Sequence, residues 1–324
     1  MIVFWHYLII PAQPSSHLII VPGLNGQGGE NVDIVLPYFS QKPTLKHLVG
    51  TPDIIIDFGQ GRCQKYLDAT VNSLGDTKKI IHASSQGTAT AINYTAKHPG
   101  QISALILESI MLSGNHAIEY NLPIPRCYHI LPYLAKIIYP FYAPAGEQPI
   151  LNANELPINI PIIILHDEND FQLSYKGAKA LYAFLKNKNP NVYLMTKKSL
   201  DGEHISLLTW SEDTTNDTNQ NKIDAINAIL QNHKLLPLKE NTPIDMAQIA
   251  SSYQPEINSA DLEYFYEIHA KEQNFWYVDW AVKIMFSGLI LMVLYNKGII
   301  NNMLNGIGIN FFNNCGLFHI RILT

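Results

Sequence analysis

Ile80-Ile81-His82-Ala83-Ser84-Ser85-Gln86-Gly87-Thr88-Ala89 is the stretch whose reading decides the fold. An apolar run over 79–83 meets a pair of serines, and a small-residue pattern over 88–98 with helical spacing follows at once. That helix meets its stop at His98-Pro99-Gly100. A chain that passes from strand to helix so abruptly needs small residues two before and two after the turning point. Ser85 has them, Ala83 and Gly87. Ser84 is the weaker candidate, with bulky His82 and Gln86 at the same positions. The turn also puts Ser85 at a helix N-terminus, where the dipole favours a developing negative charge. The competing account is that both serines simply cap the helix.

Working outward, short β-branched runs recur at 2–10, 17–21, 53–58, 79–83, 103–108, 161–166 and 191–196. Most are continuously apolar, the pattern of strands buried on both faces. Between them, 64–74, 88–98 and 175–186 carry apolar residues at a 3.6 period. The alternation predicts an α/β fold: a mostly parallel sheet covered by helices on both faces, with right-handed crossovers. Residues 110–159 interrupt the rhythm with a run rich in Pro, Tyr and Leu, and a loop of that length without structure is unexpected in a compact domain, so a small helical cap is predicted there. Residues 211–220 read as a polar loop and 222–232 as a closing helix. The predicted division is a domain over 1–234 and, over 235–324, a linker with a helical, apolar tail.

The sequence resembles the α/β-hydrolase superfamily at Ala83-Ser84-Ser85-Gln86-Gly87, which is similar to its G-x-S-x-G elbow with Ala in place of the first Gly. The resemblance covers about residues 1–234 and implies a serine esterase, lipase or peptidase with Ser85 as nucleophile. It also gives a role to Pro22-Gly23-Leu24-Asn25, the turn after the run at 17–21. The superfamily has His-Gly-x there, and the backbone N–H groups of Leu24 and Gln86 would form the oxyanion hole. Asn25 would reach the substrate or cap its own turn. The glycine spacing of 23–29 fits neither phosphate-loop pattern.

A serine nucleophile needs a base and a carboxylate that fixes the base's tautomer. His166-Asp167-Glu168-Asn169-Asp170, after the run at 161–166, is similar to the superfamily's His-Gly-x-x-Asp, which implies Asp170 as the acid. Asp167 stands where that motif has Gly and remains a rival. Gly202-Glu203-His204 follows the last predicted strand, and the resemblance implies His204 as the base among the 12 histidines. The order Ser, acid, His is the one this fold uses. The departures at Pro22, Ala83 and Asp167 leave a second reading open, a catalytically inactive hydrolase-like scaffold that binds a ligand.

Composition sets outer bounds. The chain has 324 residues, 47% hydrophobic and 15% charged, with a net charge of −5. That balance, with no basic tract, argues against a nucleic-acid partner. Three widely spaced cysteines form neither a disulfide framework nor a metal pair. The chemistry implied needs no metal and no organic cofactor. The N-terminal apolar run lacks a basic residue ahead of it and reads as a strand rather than a signal peptide.

Two features bear on substrate and location. The predicted cap is rich in Tyr, Leu and Ile from Tyr120 to Tyr142, which suits a hydrophobic acyl substrate or simple packing of the cap. Residues 284–296 are 13 uncharged positions, short of the roughly 20 a spanning helix needs, though Trp276, Tyr277 and Trp280 would make an interfacial belt. The compartment stays open between cytoplasmic and membrane-associated through residues about 276–300. The alternative for the tail is a soluble packing element.

Overall fold

The computed structural model of the protein describes residues 6–13, 16–21, 23, 46–49, 62–121, 148–200, 202, 204, 217–236 and 245–296. Its strands are β1 (His6–Gln13), β2 (Ser16–Val21), β3 (Lys46–Val49), β4 (Lys78–Ser84), β5 (Ala104–Glu108), β6 (Ile162–Asp167) and β7 (Val192–Lys197). Its helices are α1 (Arg62–Ser73), α2 (Gln86–Lys97), α3 (Gly114–Asn121), the single turn α4 (Pro149–Asn152), α5 (Tyr175–Lys186), α6 (Asp217–Asn232), α7 (Met246–Tyr253) and α8 (Ser259–Asn296). The sheet order is β3-β1-β2-β4-β5-β6-β7. From β2 to β7 every pairing is parallel, and β1 runs antiparallel to both of its neighbours.

Register explains the continuous apolar runs. Ile19, Ile81, Leu105, Ile162 and Val192 lie side by side across five strands. All five belong to the core on the face that α1, α2 and α5 cover. The next row, Ile20, His82, Ile106, Ile163 and Tyr193, points the other way. There Ile226, Ile229 and Leu230 of α6 cover the sheet, with Met246, Ile249 and Tyr253 of α7 packed against them. Side chains alternate faces along a strand, so a strand buried on both sides has no position left for a polar residue without a partner. His82 is the exception in its row, and it meets Glu108.

Several sequence expectations need correction. The first described strand, His6–Gln13, runs past the expected end at 10, while 2–5 lie outside the described residues, and β3 was not anticipated. The expected strand at 53–58 lies outside the described residues. The polar stretch at 211–220 is not all loop, because α6 begins at Asp217. A start on Asp217 followed by polar residues suits a first helical turn as well as it suits a loop. The two ends of the expected cap also belong to the main core: Ile110, Leu112, Ile150, Ala153 and Leu156 are buried in it. What lies between, 122–147, is outside the described residues.

The chain separates into compact units at Met1–Gln273 and Asn274–Thr324. Packing shows why residues beyond 234 belong with the first unit. Leu235 and Leu236 finish the α6 face. The chain then changes faces between α7 and α8, where Tyr182 Oη donates to Pro255 O at 2.9 Å and Gln254 Nε2 to Pro190 O at 2.8 Å. Phe265 and Ile268 of α8 enter the opposite core, with the Phe265 ring stacked 4.0 Å from that of Phe184. In the second unit Tyr277, Ile284 and Met292 are exposed. Among the described residues no helix is long and apolar enough to cross a membrane.

Candidate active site

β4 ends at Ser84 and α2 begins at Gln86, so Ser85 alone makes the turn. Its backbone sits at φ 51° and ψ −123°, a conformation that costs a non-glycine residue about 1–3 kcal/mol. The turn is held from both sides. Ser85 N–H donates to Glu108 O at 2.8 Å, and Ser85 O accepts from Thr88 N at 2.9 Å and Thr88 Oγ1 at 2.5 Å. Thr88 Oγ1 in turn accepts from Met111 N at 3.0 Å. The side chain makes no capping hydrogen bond to its helix, which removes the account of Ser85 as a simple N-cap.

The hydroxyl points instead at an imidazole. Ser85 Oγ lies 2.9 Å from His204 Nε2, and His204 Nδ1 lies 2.9 Å and 3.1 Å from the two oxygens of Asp170. An ionised carboxylate can only accept, so Nδ1 carries the proton and Nε2 presents its lone pair to Ser85 Oγ–H. Asp170 is 1% exposed. Burial alone would raise its pKa, but the His204 hydrogen bond and charge, the Leu173 amide and His166 together hold it below the ordinary carboxylate range. Its Oδ1 also accepts from the backbone of Gln172 at 2.8 Å and Leu173 at 3.0 Å, which fixes the carboxylate before His204 arrives.

Asp167, the rival acid, faces elsewhere. It accepts from Asn169 N at 2.8 Å and from Ser199 N at 3.3 Å. It thereby ties the acid loop to the loop after β7, as does Asn169 Nδ2 donating to Ser199 O at 2.6 Å. Gly202 completes that junction at φ +67°, where a Cβ would run into the Asn169 carbonyl oxygen. His166 and His82 are strand-end residues buried in the sheet. His166 Nδ1 accepts from Ile110 N at 3.3 Å, so its Nε2–H donates to Leu173 O at 3.1 Å. Burial lowers the pKa of that ring and keeps it neutral.

Of the two expected oxyanion donors, Gln86 opens α2 directly after Ser85, at the positive end of the helix dipole. Leu24 and Asn25 lie outside the described residues. Three contributors went unread in the sequence. Glu108 lends its carbonyl to Ser85 and its carboxylate to His82 Nε2 at 3.2 Å. Tyr120, grouped with the apolar cap, donates its hydroxyl to Asp170 O at 2.9 Å. Phe171, 60% exposed, sets its ring edge-on to His204. Only Phe171 had a local signal, being next to the acid. Among the described residues no cluster of His, Cys, Asp or Glu could hold a metal ion.

A serine on a strained strand-to-helix turn at the end of a parallel sheet, with an Asp and a His from later strand-end loops, is the arrangement of the α/β-hydrolase fold. No family model and no curated protein matches the sequence. Among solved structures, the chain is similar to the Pyrococcus furiosus esterase Pf2001, with 13% identity over 71% of this chain and 92% of that one, at a TM-score of 0.48. A monoacylglycerol lipase from Paleococcus ferrophilus shares 15% identity over 71% and 99%, at 0.47. The mouse alpha/beta hydrolase domain-containing protein 10 shares 13% over 72% and 99%, at 0.46.

Proposed function

We propose that the protein is a serine hydrolase that cleaves an ester, thioester or amide through an acyl-enzyme, with Ser85 as nucleophile, His204 as base and Asp170 as the orienting acid. The observation that carries this reading is the unbroken chain of contacts from the Ser85 hydroxyl through both nitrogens of His204 to a buried carboxylate. Ser85 Oγ attacks the acyl carbonyl while its proton passes to His204 Nε2, and the carbonyl electron pair moves onto oxygen. The N–H groups of Gln86 and Leu24 receive that oxyanion. Losing one such donor raises the barrier by about 2.7–4 kcal/mol. Collapse expels the alcohol, thiol or amine, which takes the proton from Nε2. Water then repeats the sequence and releases the acid. Asp170 stays ionised and stabilises the imidazolium throughout. A small-molecule acyl substrate, hydrophobic in character, suits the apolar sequence of 122–142.

A fluorophosphonate probe tests the reading, because only an activated serine reacts with it. Labelling at Ser85, abolished in Ser85→Ala together with turnover of an activated ester, is the expected result. A folded protein that takes no label at Ser85 would be an inactive scaffold.

A further inference from the structure

Glu272 is a carboxylate outside the site described above, and it is 1% exposed. Its Oε1 accepts from Ser113 Oγ at 2.5 Å and its Oε2 from Asn115 Nδ2 at 2.8 Å. Ser113 Oγ also accepts from His116 N at 2.9 Å, so this serine caps α3 and Glu272 secures the cap. Burying a carboxylate costs several kcal/mol unless its hydrogen bonds offset it. Here two of them go to the opening residues of one short helix, at the end where the dipole favours a negative charge. α8 grips the same helix a second time, where His116 Nε2 meets Tyr264 Oη at 3.1 Å.

α3 is eight residues long, about 12 Å. Its far end touches the acid loop: Tyr120 Oη donates to Asp170 O at 2.9 Å and Asn121 Nδ2 to Gln172 O at 2.8 Å. Gln172 is one of the two residues whose amides hold the Asp170 carboxylate. A two-turn rod therefore joins α8 to the loop that presents Asp170 to His204.

We propose that Glu272 is a positioning residue: by fixing the start of α3 it holds the Asp170 carboxylate against His204. The kinetic consequence rests on the hydrolase reading, whereas the positioning is a matter of geometry that can be read without turnover. Glu272→Ala releases the α3 cap, lets the acid loop shift and loosens the His204–Asp170 hydrogen bond. With an ester substrate it lowers kcat by about 10- to 100-fold while KM moves little, since the displaced group acts on the chemistry rather than on substrate binding. Glu272→Gln still offers an oxygen to Ser113 Oγ–H, and Asn115 can turn its amide to match, so most of kcat is retained.

The decisive measurement is the far-downfield proton resonance of His204 Nδ1–H in the full-length protein, assigned by its loss in His204→Gln. Glu272→Ala moves it upfield or broadens it away, and Glu272→Gln leaves it near the wild-type position. An unmoved resonance in folded Glu272→Ala overturns the proposal. Should that variant fail to fold, Ser113→Ala decides, since it removes the hydrogen bond from Ser113 Oγ to Glu272 and must shift the resonance too. A wild-type protein with no such resonance also overturns it. If the resonance responds but no acyl substrate is turned over, the hydrolase reading fails and the positioning stands. If turnover is normal and the resonance is unmoved, the reverse holds.

Discussion

Gly202 and Asn169 touch backbone to backbone. At φ +67° the glycine leaves no room for a Cβ beside the Asn169 carbonyl oxygen, and the contact joins the Asp170 loop to the His204 loop. The two loops come from adjacent parallel strands, with Asp167 opposite Lys197 in register. Their separation is therefore set by the sheet, and the glycine lets them close the remaining gap.

Gly202→Ala must open that junction. The strained φ alone costs about 1–3 kcal/mol. The displacement of His204 from Asp170 lowers ester turnover by about 100-fold. Steady-state kinetics alongside thermal melts check this, and wild-type kcat in the variant contradicts it.

Ser85 holds a positive φ without being a glycine. Ser85→Gly and Ser85→Ala both delete the hydroxyl and both abolish turnover. They differ in the turn: glycine adopts φ 51° freely and alanine does not. Ser85→Gly is therefore the more stable of the two by about 1 kcal/mol, although glycine is ordinarily the weaker choice at a structured position. Urea unfolding midpoints measure the difference. If the alanine variant is equally stable, the turn is not strained.

His116 gives the protein a pH signature remote from Ser85. Burial, and secondarily the Lys271 charge, push its pKa down to about 4. A folded pKa below the unfolded value means that the unfolded chain takes up the proton first. The contribution of neutral His116 to stability is complete above pH about 6.5 and is lost as pH falls towards 4. His116→Gln flattens the stability curve across that window. Equal slopes for wild type and variant between those limits contradict the assignment.

Truncation tests the domain division. A chain ending at Asn232 loses Leu235, Leu236, Phe265 and Ile268 from the two cores and does not reach a soluble, cooperative fold. Removing a single large buried side chain already costs about 2–5 kcal/mol, comparable to a whole domain's margin. A chain ending at Gln273 keeps these residues and melts cooperatively. Circular dichroism melts of the two separate the outcomes, and a stable fragment ending at Asn232 contradicts the packing described.

The parts legible in the sequence are those with a local cause. Ala83 and Gly87 around Ser85 mark a tight turn, and the unbroken apolar runs mark strands covered on both faces. The helix at Tyr175–Lys186 is bounded by its own periodicity and matches its expected limits. What escaped depends on partners far along the chain. Nothing near Glu272 announces that its carboxylate meets Ser113 and Asn115, and nothing near Tyr120 announces a hydrogen bond to Asp170. The return of the chain to the core beyond residue 234 is hidden for the same reason. A polar linker looks like the end of a domain, while Phe265 and Ile268, beyond it, return to the core.

The covering of the sheet by segments from opposite ends of the chain has a consequence for biosynthesis. The five parallel strands are complete once Lys197 has been made, but one face waits for α6 and α7, and the other, already covered by α1, α2 and α5, still lacks Phe265. Domains generally fold as units while the ribosome elongates, and uncovered strands are the adhesive species. A nascent chain of this protein therefore carries a sticky slab through roughly its last seventy-odd codons before closure, at about 5–20 residues per second a delay of several seconds. Holdase chaperones have that interval in which to act, and synonymous codon changes that slow translation there would lower soluble yield without altering a single residue.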